Sequence, residues 1–369
     1  MGREVLSTRA YRAVAEAAEA AGSSTHRGEQ RQREGKGLHP LVDPSGYDLI
    51  RRSISYLEPK KGQFVLLRGV AMLIEDLLDR TGSMGGNVEI AMRVLPTAYK
   101  LLATGPQAVL KRYDTQIITA IFGDVQDNYV LGRSQAEMDE RIAEQMTLMF
   151  PEHDGGDTPE DPEYGLFGAA YLTAADINRY GLRSYHFTVS DAPGRGRMSS
   201  DNLIRVFGKT VFERTTENGF QVDRGDLPTT KEIVTELLKR AHSFFLQIGN
   251  NSETSRFWTS VYGRDRVVNI ANTEQLALVQ AAIIGLTEGT LDLQSVREFL
   301  TAEAANTEVE SVIRAVSGIP IGSQAVLPNF GKLPKRGDIF AKKGDLWPIE
   351  AGTAQPDSAK NKKPGIKWK

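Results

Sequence analysis

The run Asp79-Arg80-Thr81-Gly82-Ser83-Met84 places one carboxylate and two hydroxyls, Asp79, Thr81 and Ser83, at alternate positions. In extended backbone alternate side chains point the same way, so three oxygen donors can converge where a strand gives way to a helix. Such a donor set suits a hard cation, Mg2+ or Mn2+, which takes oxygen ligands and retains part of its water. Three short side chains do not complete an octahedral shell, and the spacing therefore predicts further oxygens from later loops. Two stretches offer them in order. Gly155-Gly156-Asp157-Thr158-Pro159-Glu160-Asp161 carries a hydroxyl and carboxylates on a glycine-loosened backbone, and Val189-Ser190-Asp191-Ala192-Pro193 ends an apolar run on a carboxylate. In the first of these either Thr158 or Asp157 can be the ligand. Asp124 ends another apolar run and reads either as an acid behind the site or as the start of a turn. A plainer reading makes Ser83 a helix cap and Gly82 a turn residue; the later oxygens, arriving in the required order, outweigh it.

Positioning these residues requires strands that end together. Val70 to Leu78, Gln116 to Phe122, Ser184 to Ser190, Phe244 to Ile248 and Arg266 to Ile270 read as strands. Between them lie helical patterns: Val88, Met92, Leu95, Tyr99 and Leu102 at helical spacing, a helix through Leu166 and Tyr171, and helices over Thr229–Arg240, Thr254–Tyr262 and Thr273–Leu286. Ser134 and Glu137 form a capping-box pattern opening a helix with Met138, Ile142, Met146 and Met149 on its core face. Strands alternating with helices imply an α/β fold, a Rossmann-like doubly wound and mainly parallel sheet flanked by helices. Tyr129 to Leu131 is expected to add one short antiparallel edge strand. Ligands of such sheets bind beyond the carboxyl ends of the strands, where Asp79, Asp124 and Asp191 all fall.

At this point the chain resembles the von Willebrand factor type A (VWA) family and its metal-ion-dependent adhesion site, most closely bacterial and phage members with an Asp-x-Thr-Gly-Ser-Met-Gly turn. The resemblance runs from about Gly62 to Leu286. It implies that Asp79, Thr81, Ser83, Thr158 and Asp191 hold Mg2+ or Mn2+, with Asp157 and Asp124 as alternatives at the margin. It also implies a protein-binding or adaptor module rather than an enzyme, gripping an Asp or Glu of a partner, with ATPase machines one class of partner. Glu75 and Asp76 depart from the family's apolar first strand. A rival resemblance is to the haloacid dehalogenase-like phosphotransferases. There Asp79 would be the nucleophile of a Mg2+-dependent phosphatase and Gly123-Asp124-Val125-Gln126-Asp127 the second acidic motif. Thr81 stands where that family wants a second acid, and no lysine falls at a convincing position to steady a phosphate.

Other signals carry less. Gly208-Lys209-Thr210 fails as a phosphate loop because Leu203 occupies the position of the required glycine, and the five histidines have no metal-ligand spacing. The net charge of −2 over 369 residues gives no overall case for nucleic acid or membrane. From Lys332 to Lys369 ten Lys/Arg face four Asp/Glu, a net +6 that leaves −8 for the remainder. That basic tail is the one segment suited to nucleic acid or an acidic protein. The chain has no cysteine, which excludes thiol chemistry and suits a reducing cytosol, and no run apolar enough to span a bilayer. The expected organisation is a short helix (Ser7 to Ala21) and flexible linker (22–37) over 1–38, a small docked helix (39–59) within 39–61, the α/β domain over 62–290, a helical extension over 291–331 and a disordered basic tail over 332–369.

Overall fold

The apolar runs form the centre of a six-stranded sheet in a computed structural model that describes residues 25–46, 50–52, 54–60, 63–99, 101–102, 108–138, 141–150, 159–303 and 306–333. Three short strands come first, β1 (Ile50–Arg52), β2 (Ile54–Lys60) and β3 (Gln63–Gly69). The main sheet uses β4 (Ala71–Asp79), β5 (Asp114–Phe122), β6 (Leu131–Arg133), β8 (Ser184–Ser190), β9 (Ala241–Ile248) and β10 (Val267–Ile270), and β7 (Thr173–Ala175) pairs with β1. The order across the main sheet is β10-β9-β8-β4-β5-β6; all pairs are parallel except β5 with β6, the expected antiparallel edge.

The helices are α1 (His26–Arg33), α2 (Asn87–Tyr99), α3 (Arg141–Met146), α4 (Glu163–Tyr171), α5 (Ser200–Phe207), α6 (Val211–Glu217), α7 (Thr230–Arg240), α8 (Ser252–Tyr262), α9 (Leu276–Glu288), α10 (Leu293–Glu303) and α11 (Asn306–Val316). They cover both faces. Met72, Ile74 and Leu78 of β4 pack with Val88 and Met92 of α2 and Ile283 of α9, whereas Leu77 packs with Phe167 of α4 and Val234 of α7. This is a Rossmann-like, doubly wound α/β fold. Successive strands run outward from β4 to β5 on one side and from β8 to β10 on the other, so the order reverses between β4 and β8. Among the described residues no helix is long and apolar enough to cross a membrane.

Glu75 and Asp76 lie inside β4 after all. Glu75 accepts two hydrogen bonds from Arg133 at 2.7 Å, and Asp76 accepts one from Gln280 on α9 at 2.6 Å. Pairing of this kind is what lets charged groups enter a buried strand.

Three expectations are corrected. The stretch 22–37, expected to be a linker, contains α1. That helix carries no apolar side chain, so periodicity cannot reveal it; Gly28 docks it, with its N–H on the Thr147 carbonyl at 2.9 Å. The stretch 39–59, expected to dock as a helix, instead gives a short 3-10 turn, β1 and β2, with β2 and β3 paired antiparallel from Ile54↔Gly69 to Lys60↔Gln63. Ser134 and Glu137 open no helix. The Thr119 N–H donates to Ser134 Oγ at 2.9 Å and the Glu137 backbone bridges Ile117, both partners on β5, while the Glu137 side chain accepts from Gln145 at 2.8 Å; the described helix here is α3, from Arg141. The helix expected over Ser7 to Ala21 and nearly all of the basic tail lie outside the described residues.

Candidate metal centre

β4 ends at Asp79, which is fully buried, and the chain stays extended through Thr81 (φ −67°, ψ 165°) before a 3-10 turn over Gly82–Met84. Extended backbone brings Thr81 back over Asp79: its N–H and its hydroxyl both donate to Asp79 Oδ1, at 2.8 and 2.7 Å. Ser190, the last residue of the neighbouring β8, donates to Asp79 Oδ2 at 2.5 Å. Ser83 reaches across the gap between β4 and β8 and donates to Asp191 Oδ1 at 2.8 Å. Neither hydroxyl caps the following helix; Thr81, at the N-cap position of the 3-10 turn, makes no side-chain cap bond.

A hydroxyl has one hydrogen; Thr81 gives its own to Asp79 and Ser83 gives its own to Asp191. Thr81 Oγ1 and Ser83 Oγ lie 3.3 Å apart, within hydrogen-bond reach of one another as well as of the two carboxylates. Neighbouring oxygens of an octahedral Mg2+ shell sit about 3 Å apart, from bonds near 2.1 Å at right angles. Among the described residues no three acidic or imidazole side chains form a metal cage by themselves, so hydroxyls have to supply part of any donor set here.

Glu160 completes the arrangement from beneath. It is 4 % exposed, its backbone is held by the Pro193 carbonyl at 3.0 Å, and its Oε2 is buried with no hydrogen-bond partner among the described residues. Burial pushes its carboxyl up to about 8; the Asp79 and Asp124 carboxylates push the same way, while a hydrogen bond with Thr81 and the Arg195 charge oppose them. Asp79 is raised to about 6, again chiefly by burial and then by Asp191, against the hydrogen bonds from Ser190 and Thr81. Acids crowded in this way are in surplus over local positive charge, a condition a bound cation would relieve.

Asp124 stands apart from this set. Its carboxylate forms an ion pair with Arg195 and accepts the Gln126 N–H at 2.8 Å, so it both starts the turn after β5 and anchors an arginine. Arg195 also donates to Asp161 Oδ2 at 3.0 Å. The loop that carries it is pinned along its length. Thr254 holds the Asp191 carbonyl and Trp258 the Ala192 carbonyl, both at 2.9 Å, and the Gly196 N–H donates to Glu163 at 2.8 Å. Arg80 turns the other way, to the Phe150 and Tyr129 carbonyls and toward Asp127.

The fold thus brings together four of the expected ligands, Asp79, Thr81, Ser83 and Asp191, at the reversal of strand order. Thr158 and Asp157 lie outside the described residues. Glu160 and Ser190 were not singled out by sequence; the signal for Glu160 was the Pro-Glu that follows Thr158, and for Ser190 its place beside Asp191. The phosphotransferase pattern finds little purchase. Asp79 has no exposed surface and both its oxygens are engaged, and Asp124 is spoken for by Arg195.

No protein-family model and no curated protein matches the chain. Among solved structures it is similar to proximal thread matrix protein 1 from the mussel byssus, with a TM-score of 0.39 and 11% identity over 59% of this chain and 46% of that one. Another structure of that protein, described as having a zinc-occupied MIDAS motif, gives 0.38 and 13% over 59% and 46%. The pilus adhesin SpaC from Lactobacillus rhamnosus GG gives 0.37 and 12% over 63% and 34%. The chain spans less than half the length of each.

Proposed function

We propose that this chain is a protein-binding module of von Willebrand factor A type whose site works through a divalent cation, Mg2+ or Mn2+. Asp79, Thr81, Ser83 and Asp191 would hold the ion, Glu160 would face it from the buried side, and Thr158 or Asp157 would add the remaining loop oxygen. The observation that carries this reading is the convergence of the Thr81 and Ser83 hydroxyls, 3.3 Å apart, with the Asp79 and Asp191 carboxylates, beside a buried Glu160 that has one oxygen without a partner among the described residues. Donors that are partly neutral hydroxyls leave a cation electrophilic, and it would then offer a coordination position to a carboxylate from outside. The residues of this chain do the rest. Ser190 and the Thr81 N–H fix the Asp79 carboxylate, and the Thr254 and Trp258 hydrogen bonds fix the strand end that carries Asp191. The partner would be a protein presenting an Asp or Glu, an ATPase being one class; the basic C-terminal tail could add contacts to an acidic surface.

The test is calorimetry of MgCl2 and MnCl2 into the full chain, beside a pull-down read by mass spectrometry with and without EDTA. Saturable metal binding that Asp191→Ala removes, with partners captured only in the metal-loaded wild type, is the expected result. A wild type that binds neither ion at millimolar concentration ends the reading. So does turnover of a generic phosphate ester that Asp79→Asn abolishes, which would restore the phosphotransferase.

A further inference from the structure

A second site lies away from the metal centre, on α1 and the turn after it. Arg27, Gln30, Arg31, Glu34, Lys36 and His39, closed on one side by Leu148, line a groove of about 240 Å3. We infer that this groove binds the phosphate group of a small phosphomonoester.

The balance of charge there is one-sided. Lys36 is matched by Glu34 at 2.7 Å. Arg31 donates through Nε and Nη2 to the carbonyls of Gly37, Lys36 and Leu38 at 3.2, 3.2 and 3.3 Å, which fixes its plane, and the one carboxylate near it, Glu34, is shared with Lys36. Arg27 has no hydrogen bond or ion pair among the described residues. Its position adds to the case: it stands in the first turn of α1, where the helix dipole disfavours a cation. Helix stabilisation therefore explains Arg31, in the last turn, and does not explain Arg27.

His39 supplies the third donor. Its Nδ1 accepts the Leu41 N–H at 3.2 Å, so the neutral ring carries its hydrogen on Nε2. Partial burial, then the charges of Arg31 and Arg27, hold its protonation below the usual histidine range. An anion seated among these groups reverses the last two effects. Among the described residues the charged groups that line the groove with His39 are Arg27, Arg31, Lys36 and Glu34.

The size of the groove selects the class of ligand. Its walls are one helix, one turn and one leucine, far short of the roughly 800 Å2 per partner of a stable protein interface. Leu148, itself buried in the core, closes the groove behind these side chains, and arginine forks favour phosphate oxygens.

The experiment uses the full chain at constant ionic strength and follows His39 by NMR through pH titrations with sodium phosphate, adenosine monophosphate, or neither. Adenosine monophosphate is expected to raise the His39 midpoint by about one unit, the size usual for a new opposite charge close by. It should bind at least tenfold more weakly to Arg27→Gln and unchanged to Arg33→Gln, a substitution on the same helix outside the groove. Inorganic phosphate binding as tightly as the ester would narrow the ligand to free phosphate and overturn the phosphomonoester assignment. No shift with either probe, or equal loss in both variants, overturns the site altogether. Arg27 makes no contact that the fold needs, so an unchanged melting temperature of Arg27→Gln separates loss of binding from loss of structure. The result is independent of metal at Asp79.

Discussion

Asp191 shows how much of the proposed chemistry rests on single atoms. Its Oδ1 receives the only hydrogen of Ser83, and it adds its charge to that of the buried Asp79. Asp191→Ala should remove most of the metal affinity together with part of the acid crowding. Wild-type melting should rise with Mg2+, by a stabilisation of about 2.7 kcal/mol at one hundred times the dissociation constant. The mutant's melting should ignore Mg2+ and in EDTA equal or exceed the wild type's. Glu160→Gln should keep the fold and lower Mg2+ affinity at least tenfold by titration; unchanged affinity would remove Glu160 from the site. The motif around Asp79 was legible in sequence because alternation and residue type suffice to read it. Glu160 was not. Glu160, Asp161 and Glu163 stand within four positions, and periodicity cannot tell three acids apart. In the fold they diverge: Glu160 faces the site, Asp161 takes Arg195 and the Val125 N–H, and Glu163 takes Gly196 and Thr230.

Several elements with an apolar face were legible nearly to the residue, though the amphipathic α5, with Leu203, Val206 and Phe207 inward, was not. Ser184–Ser190 matches its strand at both ends, and Thr229 caps α7 through a full capping box with Glu232. Elements held by backbone or by buried polar pairs were not. A Cβ on Gly28 would stand 1.8 Å from the Met149 carbonyl oxygen, a main-chain atom that cannot step aside. Gly28→Ala should therefore undock α1 while the sheet stays intact. Hydrogen exchange should show fast amides over 26–33 and protected ones in β4, β5 and β8; continued protection of α1 would contradict this. The Glu75–Arg133 pair makes a second case. Both side chains are almost wholly buried, and Glu75→Gln leaves a guanidinium without its charge partner. A loss of about 3–5 kcal/mol in urea unfolding is expected. Replacing both residues by methionine should recover most of it.

The whole molecule carries its titrating groups on both sides of neutrality. Burial raises Asp76, Glu163 and Glu288 to about 7 each, from ordinary values of 3.8, 4.5 and 4.5. Burial lowers His186 to about 4 and His242 to about 3. A raised acid favours the folded state at low pH and loses that contribution as pH climbs through its folded value. A lowered histidine contributes fully above its unfolded value of 6.5 and loses that contribution as pH falls. Between about pH 6.5 and 8 the histidine contribution is already complete and the three acids ionise, so the melting temperature should fall across that window. Glu288→Gln, which removes one acid held between Tyr113 and Tyr185, should flatten the slope. A melting temperature that rises from pH 6.5 to 8 would refute the assignment. The reversal of strand order between β4 and β8 has one more consequence. Asp79, Thr81 and Ser83 belong to the chain before residue 150, Glu160 and Asp191 to the chain after residue 159, and the two stretches meet along the paired register from Ile74↔Tyr185 to Leu78↔Val189. The site is therefore a suture between halves. Fragments 1–150 and 159–369, expressed separately, should complement one another, and the dissociation constant of the pair should drop when Mg2+ is added and stay unchanged when the second fragment carries Asp191→Ala.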